Sequence, residues 1–288
     1  MQRVKPPTPP VPDDFTIENV EVPGLGANPP VSLRVYRPRA LTEPSPALFW
    51  LHGGGYIGGS PEQDERTSIR FARELGITVV AGRYRLAPQH PSPAAVEDAF
   101  AGWRAIATDP ERFGVDPARI ALGGASAGGG LTAGLALYIH DHPDDSAGVR
   151  PVFQLLLYPM LDDRTVVRTD MDTRHVRAWT VKSNRFGWTS YLGGPPGAAD
   201  VSPYAAPARR VDLSGLPPAW IGVGTLDLFH DEDIVYAERL RAAGVECEVL
   251  EIPGAFHGFD AVMPKAGVSG EFFDEQVRVL KSVLQAEG

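Results

Sequence analysis

The sequence predicts an α/β fold with a mostly parallel, eight-stranded sheet and helices on both faces. From residue 47 onward, short apolar runs alternate with helical stretches, which is typical of parallel strands buried on both faces. Polar or glycine-rich motifs follow several of these runs, at the sheet edge where such folds bind ligands. The 288 residues, of which 43% are hydrophobic and 22% charged, suffice for one large core.

Two alternating stretches, Phe15 to Val22 and Val31 to Tyr36, predict an antiparallel pair at one edge of this sheet. The other predicted strands are Ala47 to Leu51, Ile77 to Ala81, the run Ile120 to Leu122, Val152 to Tyr158, Ala219 to Val223 and Glu246 to Ile252. Predicted helices occupy Glu65 to Leu75, Ala94 to Ala107, the stretch after Ser126, Asp231 to Ala243 and about Gly270 to Ala286.

Two segments do not follow this alternation. Residues 1–14 contain five prolines and are predicted to form an extended tail. Residues 162–206 are rich in Arg and Asp, and their amphipathic stretch from Trp179 to Leu192 carries several aromatic side chains. We interpret 162–206 as a small cap over the ligand-binding edge. The alternative is an insertion that only packs against the core. The catalytic core then comprises residues 15–161 and 207–288.

Composition excludes several classes of partner. With 27 Lys and Arg against 36 Asp and Glu, the net charge of −9 argues against nucleic acid binding. The only cysteine, Cys247, lies in a predicted strand and is interpreted as a buried, inert thiol. No apolar run approaches the ~20 residues of a membrane span, and residues 1–14 lack the apolar segment of a secretory signal. We expect a soluble, cytoplasmic protein.

A serine stands at the corner between a predicted strand and the helix that follows it. The pattern Gly124-x-Ser126-x-Gly128 places small residues on both sides of this serine. A nucleophile at such a corner adopts a strained backbone conformation that only small neighbours tolerate. A simple tight loop is the alternative, so the interpretation depends on partners elsewhere in the chain.

Serine needs a base to take its proton and an acid to orient that base. Of the seven histidines, His257 is the strongest candidate, because it lies on a loop between the last predicted strand and the last helix. Asp227 follows the apolar run that ends at Val223 and lies between Ser126 and His257 in the chain, as this type of triad requires.

Acyl transfer also needs hydrogen-bond donors for the negative charge of the tetrahedral intermediate. Three glycines, Gly53 to Gly55, follow the first parallel strand and allow a close backbone approach to the substrate. Gly54 and Gly55 are the predicted donors, Gly53 is an alternate, and Ala127 completes the oxyanion hole. A phosphate loop is the alternative, but the Gly-Lys-Ser/Thr ending is missing. His52 is interpreted as a structural support.

Five motifs together resemble the hormone-sensitive-lipase-like (bacterial family IV) carboxylesterases of the α/β-hydrolase fold. They are His52-Gly53-Gly54-Gly55-Tyr56, the stretch from Tyr84 to Pro91, the turn at Ser126, Asp227 with Asp231-Glu232, and His257-Gly258-Phe259. The resemblance implies hydrolysis of short- to medium-chain carboxylic esters through an acyl-enzyme by Ser126, His257 and Asp227, without metal or cofactor. It also implies a homodimer paired through the last strand.

The sequence departs from this family's pattern at three places. Ala125 replaces the usual Asp or Thr before the turn, Leu228 replaces the usual proline after the catalytic acid, and only about 14 residues precede the first strand. We therefore expect a reduced, open cap formed mainly by Trp179 to Leu192. An amidase or peptidase using the same triad and a non-catalytic ligand receptor are the alternative functions.

Other polar clusters are weaker candidates. His140-Asp141-His142 could suggest a metal site, but adjacent side chains at a helix end diverge, which favours a solvated loop. The pair Asp162-Asp163 is interpreted as a helix cap or a solvent-facing pair. The run Asp231-Glu232-Asp233 is interpreted as the acidic first turn of a helix, favourable to the helix dipole.

Overall fold

The computed structural model describes residues 12–285, which form eight strands and eight α-helices. The strands are β1 Phe15–Val22, β2 Val31–Pro38, β3 Ser45–Leu51, β4 Thr78–Gly82, β5 Val115–Ala125, β6 Phe153–Leu157, β7 Ala219–Gly224 and β8 Cys247–Ile252. They form one sheet in the order β1-β2-β4-β3-β5-β6-β7-β8. The predicted eight-stranded α/β architecture is confirmed.

The direction of the strands follows the sequence pattern. β1 pairs antiparallel with β2, and β2 pairs antiparallel with β4, so the alternating stretches form one edge of the sheet as predicted. All other neighbours are parallel. The inner strands β3, β4, β6 and β7 are buried along their whole length, because helices cover both faces.

The helices are α1 Glu65–Leu75, α2 Ala94–Thr108, α3 Pro110–Phe113, α4 Ala127–Asp141, α5 Val181–Leu192, α6 His230–Ala242, α7 Phe259–Val262 and α8 Gly267–Leu284. One face of the sheet packs against α1 and α8, through side chains that include Phe71, Leu75, Phe272 and Leu280. The other face packs against α2, α4 and α6, through side chains that include Trp103, Leu131, Leu137 and Leu240. The short helices α3 and α7 were not predicted.

Two sequence predictions reach beyond the described residues. Most of the predicted N-terminal tail, residues 1–11, lies outside them, as does Ala286 at the predicted end of the last helix. That helix begins at Gly267 rather than Gly270. Within residues 12–285, no helix is both long enough and apolar enough to pass through a membrane.

Segment 162–206 contains a single-turn helix, Asp163–Val167, and α5, with irregular backbone between and after them. Two aromatic residues of α5 anchor it to the core. The Tyr191 ring stacks on the Tyr56 ring with centroids 3.7 Å apart, and Trp188 lies 5.8 Å from Tyr56. Both α5 side chains are fully buried, so α5 is packed onto the edge of the sheet that carries the glycine loop.

Candidate active site

The predicted site residues all lie at the carboxyl ends of parallel strands. Gly53 to Gly55 follow β3, Ser126 follows β5, Asp227 follows β7 and His257 follows β8. Because neighbouring parallel strands end at the same edge of a sheet, residues far apart in the chain meet there. Ser126, Asp227 and His257 are only 8%, 6% and 7% exposed.

Ser126 occupies a strained corner between β5 and α4. Its φ of 58° and ψ of −121° lie outside the regions that non-glycine residues normally adopt. Backbone hydrogen bonds hold this conformation: the Ser126 N–H donates to Leu157 O at 2.9 Å, and Ser126 O accepts from the N–H groups of Gly130 and Met160 at 3.0 Å. The serine side chain is thereby held at the top of the sheet.

The three predicted triad residues lie in hydrogen-bond contact. His257 Nε2 is 2.8 Å from Ser126 Oγ, and His257 Nδ1 is 2.8 Å from Asp227 Oδ2. Asp227 Oδ1 accepts a further hydrogen bond from the Phe229 N–H at 2.9 Å. Because Asp227 accepts the Nδ1 proton, the neutral imidazole presents an unprotonated Nε2 to the serine hydroxyl. Leu228 does not interrupt this arrangement.

Aromatic rings surround the imidazole of His257. Phe229 contacts it at a right angle with centroids 5.1 Å apart, and Tyr158 contacts it edge-on at 5.0 Å. The Tyr158 hydroxyl donates to Asp260 Oδ1 at 2.8 Å, and burial raises the pKa of both groups. These neighbours are not predicted from the sequence, because no sequence signal shows which aromatic residues contact the histidine.

The glycine loop after β3 lies beside Ser126. A Cβ on Gly53 would lie 3.4 Å from Ser126 Cβ, so this loop runs directly beside the serine. Gly54 and Gly55 have φ values of 126° and 61°, which favour glycine. Within residues 12–285, the N–H groups of Gly54, Gly55 and Ala127 have no protein acceptor. These three N–H groups stay predicted oxyanion donors.

His52 supports this loop. Its Nδ1–H donates to Gly53 O at 2.8 Å, and its ring stacks on Tyr84 with centroids 4.2 Å apart. The Tyr84 hydroxyl donates in turn to His52 O at 2.6 Å. Burial lowers the pKa of His52 to about 4, so the ring is neutral at physiological pH. These contacts agree with the structural role predicted for this histidine.

Two of the weaker acidic candidates differ from their predicted environments. Asp162 caps the single-turn helix as expected, but Asp163 is fully buried and forms a 2.7 Å ion pair with Arg209. Glu232 is also buried, where it accepts hydrogen bonds from the Leu161 and Asp162 N–H groups. Both acids contact loop backbone or side chains distant in the chain, which helical position alone does not reveal.

In the cluster near His140, the Asp141 carboxylate is paired with side chains of other segments. Asp141 forms a 2.7 Å ion pair with Arg210 and accepts a hydrogen bond from the Tyr204 hydroxyl. Over the described part of the chain, no three His, Cys, Asp or Glu side chains come together as a possible metal-binding group.

Comparisons with known proteins agree with this geometry. A family model described as the alpha/beta hydrolase fold matches residues 48–261. The esterase LipI of Mycobacterium tuberculosis is 35% identical over 80% of this chain and 71% of its own length. The carboxylic ester hydrolase LipN of the same organism is 34% identical over 93% of this chain and 70% of its own length.

A solved structure of a bacterial heroin esterase superposes with a TM-score of 0.88 at 38% identity, covering 94% of this chain and 85% of that chain. The family model spans well over half of the sequence, and its match includes every predicted site residue. The chain therefore belongs to the hormone-sensitive-lipase-like carboxylesterases of the α/β-hydrolase fold.

Proposed function

We propose that this chain is a serine carboxylesterase that hydrolyses short- to medium-chain carboxylic esters through an acyl-enzyme. One observation carries the proposal: two 2.8 Å hydrogen bonds connect Asp227, His257 and the strained Ser126 in sequence. The names of the relatives, an esterase and a carboxylic ester hydrolase, support the same reaction. The limit on chain length rests on the family resemblance.

In the acylation step, His257 Nε2 takes the Ser126 hydroxyl proton while Oγ bonds to the ester carbonyl carbon. The carbonyl oxygen becomes an oxyanion and accepts hydrogen bonds from the N–H groups of Gly54, Gly55 and Ala127. The imidazolium, stabilised by Asp227, gives its proton to the alkoxy oxygen as the carbon–oxygen bond breaks. The alcohol leaves and the acyl group remains on Ser126.

In the deacylation step, a water molecule replaces the alcohol. His257 takes a proton from this water, and the hydroxide attacks the acyl carbon to form a second oxyanion in the same hole. Collapse of this intermediate breaks the bond to Ser126 Oγ, which recovers its proton from His257. The carboxylic acid leaves, and the triad returns to its starting protonation state.

Substitution of the nucleophile tests this mechanism. Ser126→Ala should lower kcat for 4-nitrophenyl acetate and butyrate by about 10⁶, because the covalent step is lost. Measuring unfolding by urea alongside the rates checks that the variant is folded. Hydrolysis by folded Ser126→Ala at the wild-type rate would contradict the proposal, and an inactive wild type would favour a ligand receptor.

The amidase alternative uses the same residues and is separated by substrate choice. A matched ester and anilide with the same acyl group should differ strongly in kcat/KM, with the ester preferred. A higher kcat/KM on the anilide would contradict ester hydrolysis as the main activity. A series of 4-nitrophenyl esters with increasing acyl length then defines the chain-length range.

We propose further that segment 162–206 is a small cap and that the protein is a homodimer paired through β8. The packing of α5 against Tyr56 supports the first proposal, because it places segment 162–206 beside the glycine loop. The terminal position of β8 in the sheet supports the second. A cytoplasmic location is also proposed. The single, buried Cys247 supports it, because secreted proteins more often carry disulfides.

A further inference from the structure

One aromatic side chain of segment 162–206 lies directly over the glycine loop. Trp179 is partly buried, and a Cβ built on Gly55 would lie 2.1 Å from Trp179 Cη2. Only a glycine at position 55 leaves room for this indole. The ring centroid of Trp179 is also 6.4 Å from that of His257. The indole therefore extends from a predicted oxyanion donor towards the catalytic base.

The indole is held in one orientation by its neighbours. Its Nε1–H donates to Asn184 Oδ1 at 3.2 Å, and Asn184 is only 1% exposed. Gly187 of α5 lies against the ring, since a Cβ there would be 3.1 Å from Trp179 Cζ2. The preceding Ala178 has a φ of 60°, a conformation rare for alanine, which turns the chain at this point. Trp179 is thus a fixed wall of the site.

The position of the Trp179 indole indicates which part of the bound ester lies beside it. Four groups surround the tetrahedral carbon: Ser126 Oγ, the oxyanion, the alkoxy oxygen and the acyl chain. The oxyanion binds at Gly55, and the alkoxy oxygen must reach His257 Nε2 to receive its proton. A side chain that extends from Gly55 towards His257 therefore lies along the oxyanion and alkoxy side of the carbon. The acyl chain makes no hydrogen bond to either residue.

We propose that Trp179 is a specificity-determining residue that limits the size of the alcohol part of the substrate and leaves acyl selection unaffected. This inference rests on the proposed esterase mechanism. Trp179→Ala removes a large aromatic surface and opens space on the alkoxy side. A single methylene in an apolar pocket changes kcat/KM by roughly 10-fold or more, so the effect on branched or bulky alcohols should be easy to measure.

The experiment uses two substrate series with wild type and Trp179→Ala. The first series keeps the acetyl group and varies the alcohol from ethyl to cyclohexyl and naphthyl. The second keeps 4-nitrophenol and varies the acyl chain from two to eight carbons. Trp179→Ala should raise the kcat/KM ratio of bulky to small alcohols by about 10-fold or more, while the acyl profile stays within about two-fold of wild type.

Two further variants serve as controls. Trp179→Phe keeps an aromatic ring and should raise the kcat/KM ratio of bulky to small alcohols by a smaller amount. This variant still tests the inference if Trp179→Ala folds poorly. Trp188→Phe changes a fully buried tryptophan of α5 and should lower stability without changing the relative rates in either series. Labelling of Ser126 by a fluorophosphonate reports the fraction of competent sites in each variant.

A changed acyl profile with an unchanged alcohol profile in Trp179→Ala would overturn the inference, and so would no change in either. These results leave the esterase mechanism intact, provided that wild type hydrolyses the esters and Ser126→Ala does not. An active Ser126→Ala would instead contradict the mechanism itself. The failure of the two proposals is therefore distinguishable.

Discussion

Three consecutive acids at the start of α6 lie in three different environments. Asp231 is exposed; although burial acts to raise its pKa, hydrogen bonds from His230 and Arg168 lower it. Burial raises the pKa of Glu232 well above its usual value, despite the hydrogen bonds it accepts. Asp233 is fully buried, and neither carboxyl oxygen has a partner within the described residues. Burial, together with the neighbouring Glu232 carboxyl group, raises the pKa of Asp233 well above its usual value.

The raised pKa of Asp233 predicts a pH-dependent cost of folding. The native state keeps this proton at a pH where the unfolded chain, with a pKa of about 4, has lost it. The contribution of Asp233 to stability is therefore greatest at acid pH and is lost as pH rises towards the folded pKa. Asp233→Asn removes this pH-dependent cost. Above pH 4, the free energy of unfolding of the variant relative to wild type should therefore rise by up to about 1.4 kcal/mol per pH unit.

Urea unfolding of wild type and Asp233→Asn between pH 4 and 7 measures this trend. Asp231→Asn is the matched control, two residues away in the same helix. Its carboxylate has a lowered pKa, so its stabilisation is present above about pH 4 and lost as pH falls. Between pH 4 and 7 the stability difference for Asp231→Asn should therefore stay nearly constant, while that for Asp233→Asn changes with pH. A pH-independent difference for Asp233→Asn would contradict the buried, protonated state.

At the scale of one element, the turn between β5 and α4 depends on glycine for a steric reason. A Cβ on Gly128 would lie 2.0 Å from Leu51 O, and one on Gly124 would lie 2.4 Å from Gly128 O. These are backbone atoms that cannot move away without shifting β3 or α4. The Gly-x-Ser-x-Gly pattern therefore reflects close packing of two strands and a helix around Ser126.

Gly128→Ala should be destabilised by about 2 kcal/mol or more, because overpacking against the backbone forces it to shift. Gly270→Ala is the matched control in α8, where an added Cβ meets no atom within 4 Å. Because alanine favours a helix over glycine, this control should gain roughly 0.5–1 kcal/mol. Urea midpoints compare the two, and a Gly128→Ala variant as stable as wild type would contradict the steric argument.

At the scale of the whole molecule, β8 forms the edge of the sheet opposite β1. Its backbone bonds to β7 through alternate residues, since Glu246 O and Ile252 O accept from Ala219 N–H and Thr225 N–H. The N–H groups of the intervening residues, Val249 among them, point away from the sheet. Among the described residues, the Cys247 O on this edge accepts a hydrogen bond from Arg241 Nε at 2.8 Å, and the outward N–H groups have no backbone acceptor. The proposed second copy would pair with this edge and extend the sheet.

Val249→Pro tests the proposed dimer, because it removes an outward N–H without removing a bond to β7. Light scattering at micromolar concentration should show a dimer for wild type and a monomer for Val249→Pro, with little change in monomer stability. Leu250→Pro is the contrasting variant, since the alternation directs the Leu250 N–H towards β7 and its loss should destabilise the fold by about 3 kcal/mol. A monomeric wild type would contradict the proposal.

Much of the fold follows from local signals in the sequence. Apolar runs such as Ala47 to Leu51 mark buried parallel strands, and the turn at Ser126 shows a glycine pattern with a local steric cause. Parallel strands end at one edge, so motifs after β3, β5, β7 and β8 converge there wherever they lie in the chain. This rule predicts from the sequence that Ser126, Asp227 and His257 lie close together.

The sequence by itself thus determined the α/β class, the order in which the site motifs follow the strands, and the candidate triad. Only the tertiary structure decided that Asp233 is buried while Asp231 is exposed, that Tyr158 joins Asp260 beside His257, and that Trp179 covers Gly55. The physical reason is the separation along the chain over which each effect acts. Propensity and periodicity act over a few neighbouring residues, whereas burial and side-chain contact depend on elements brought together from distant parts of the chain.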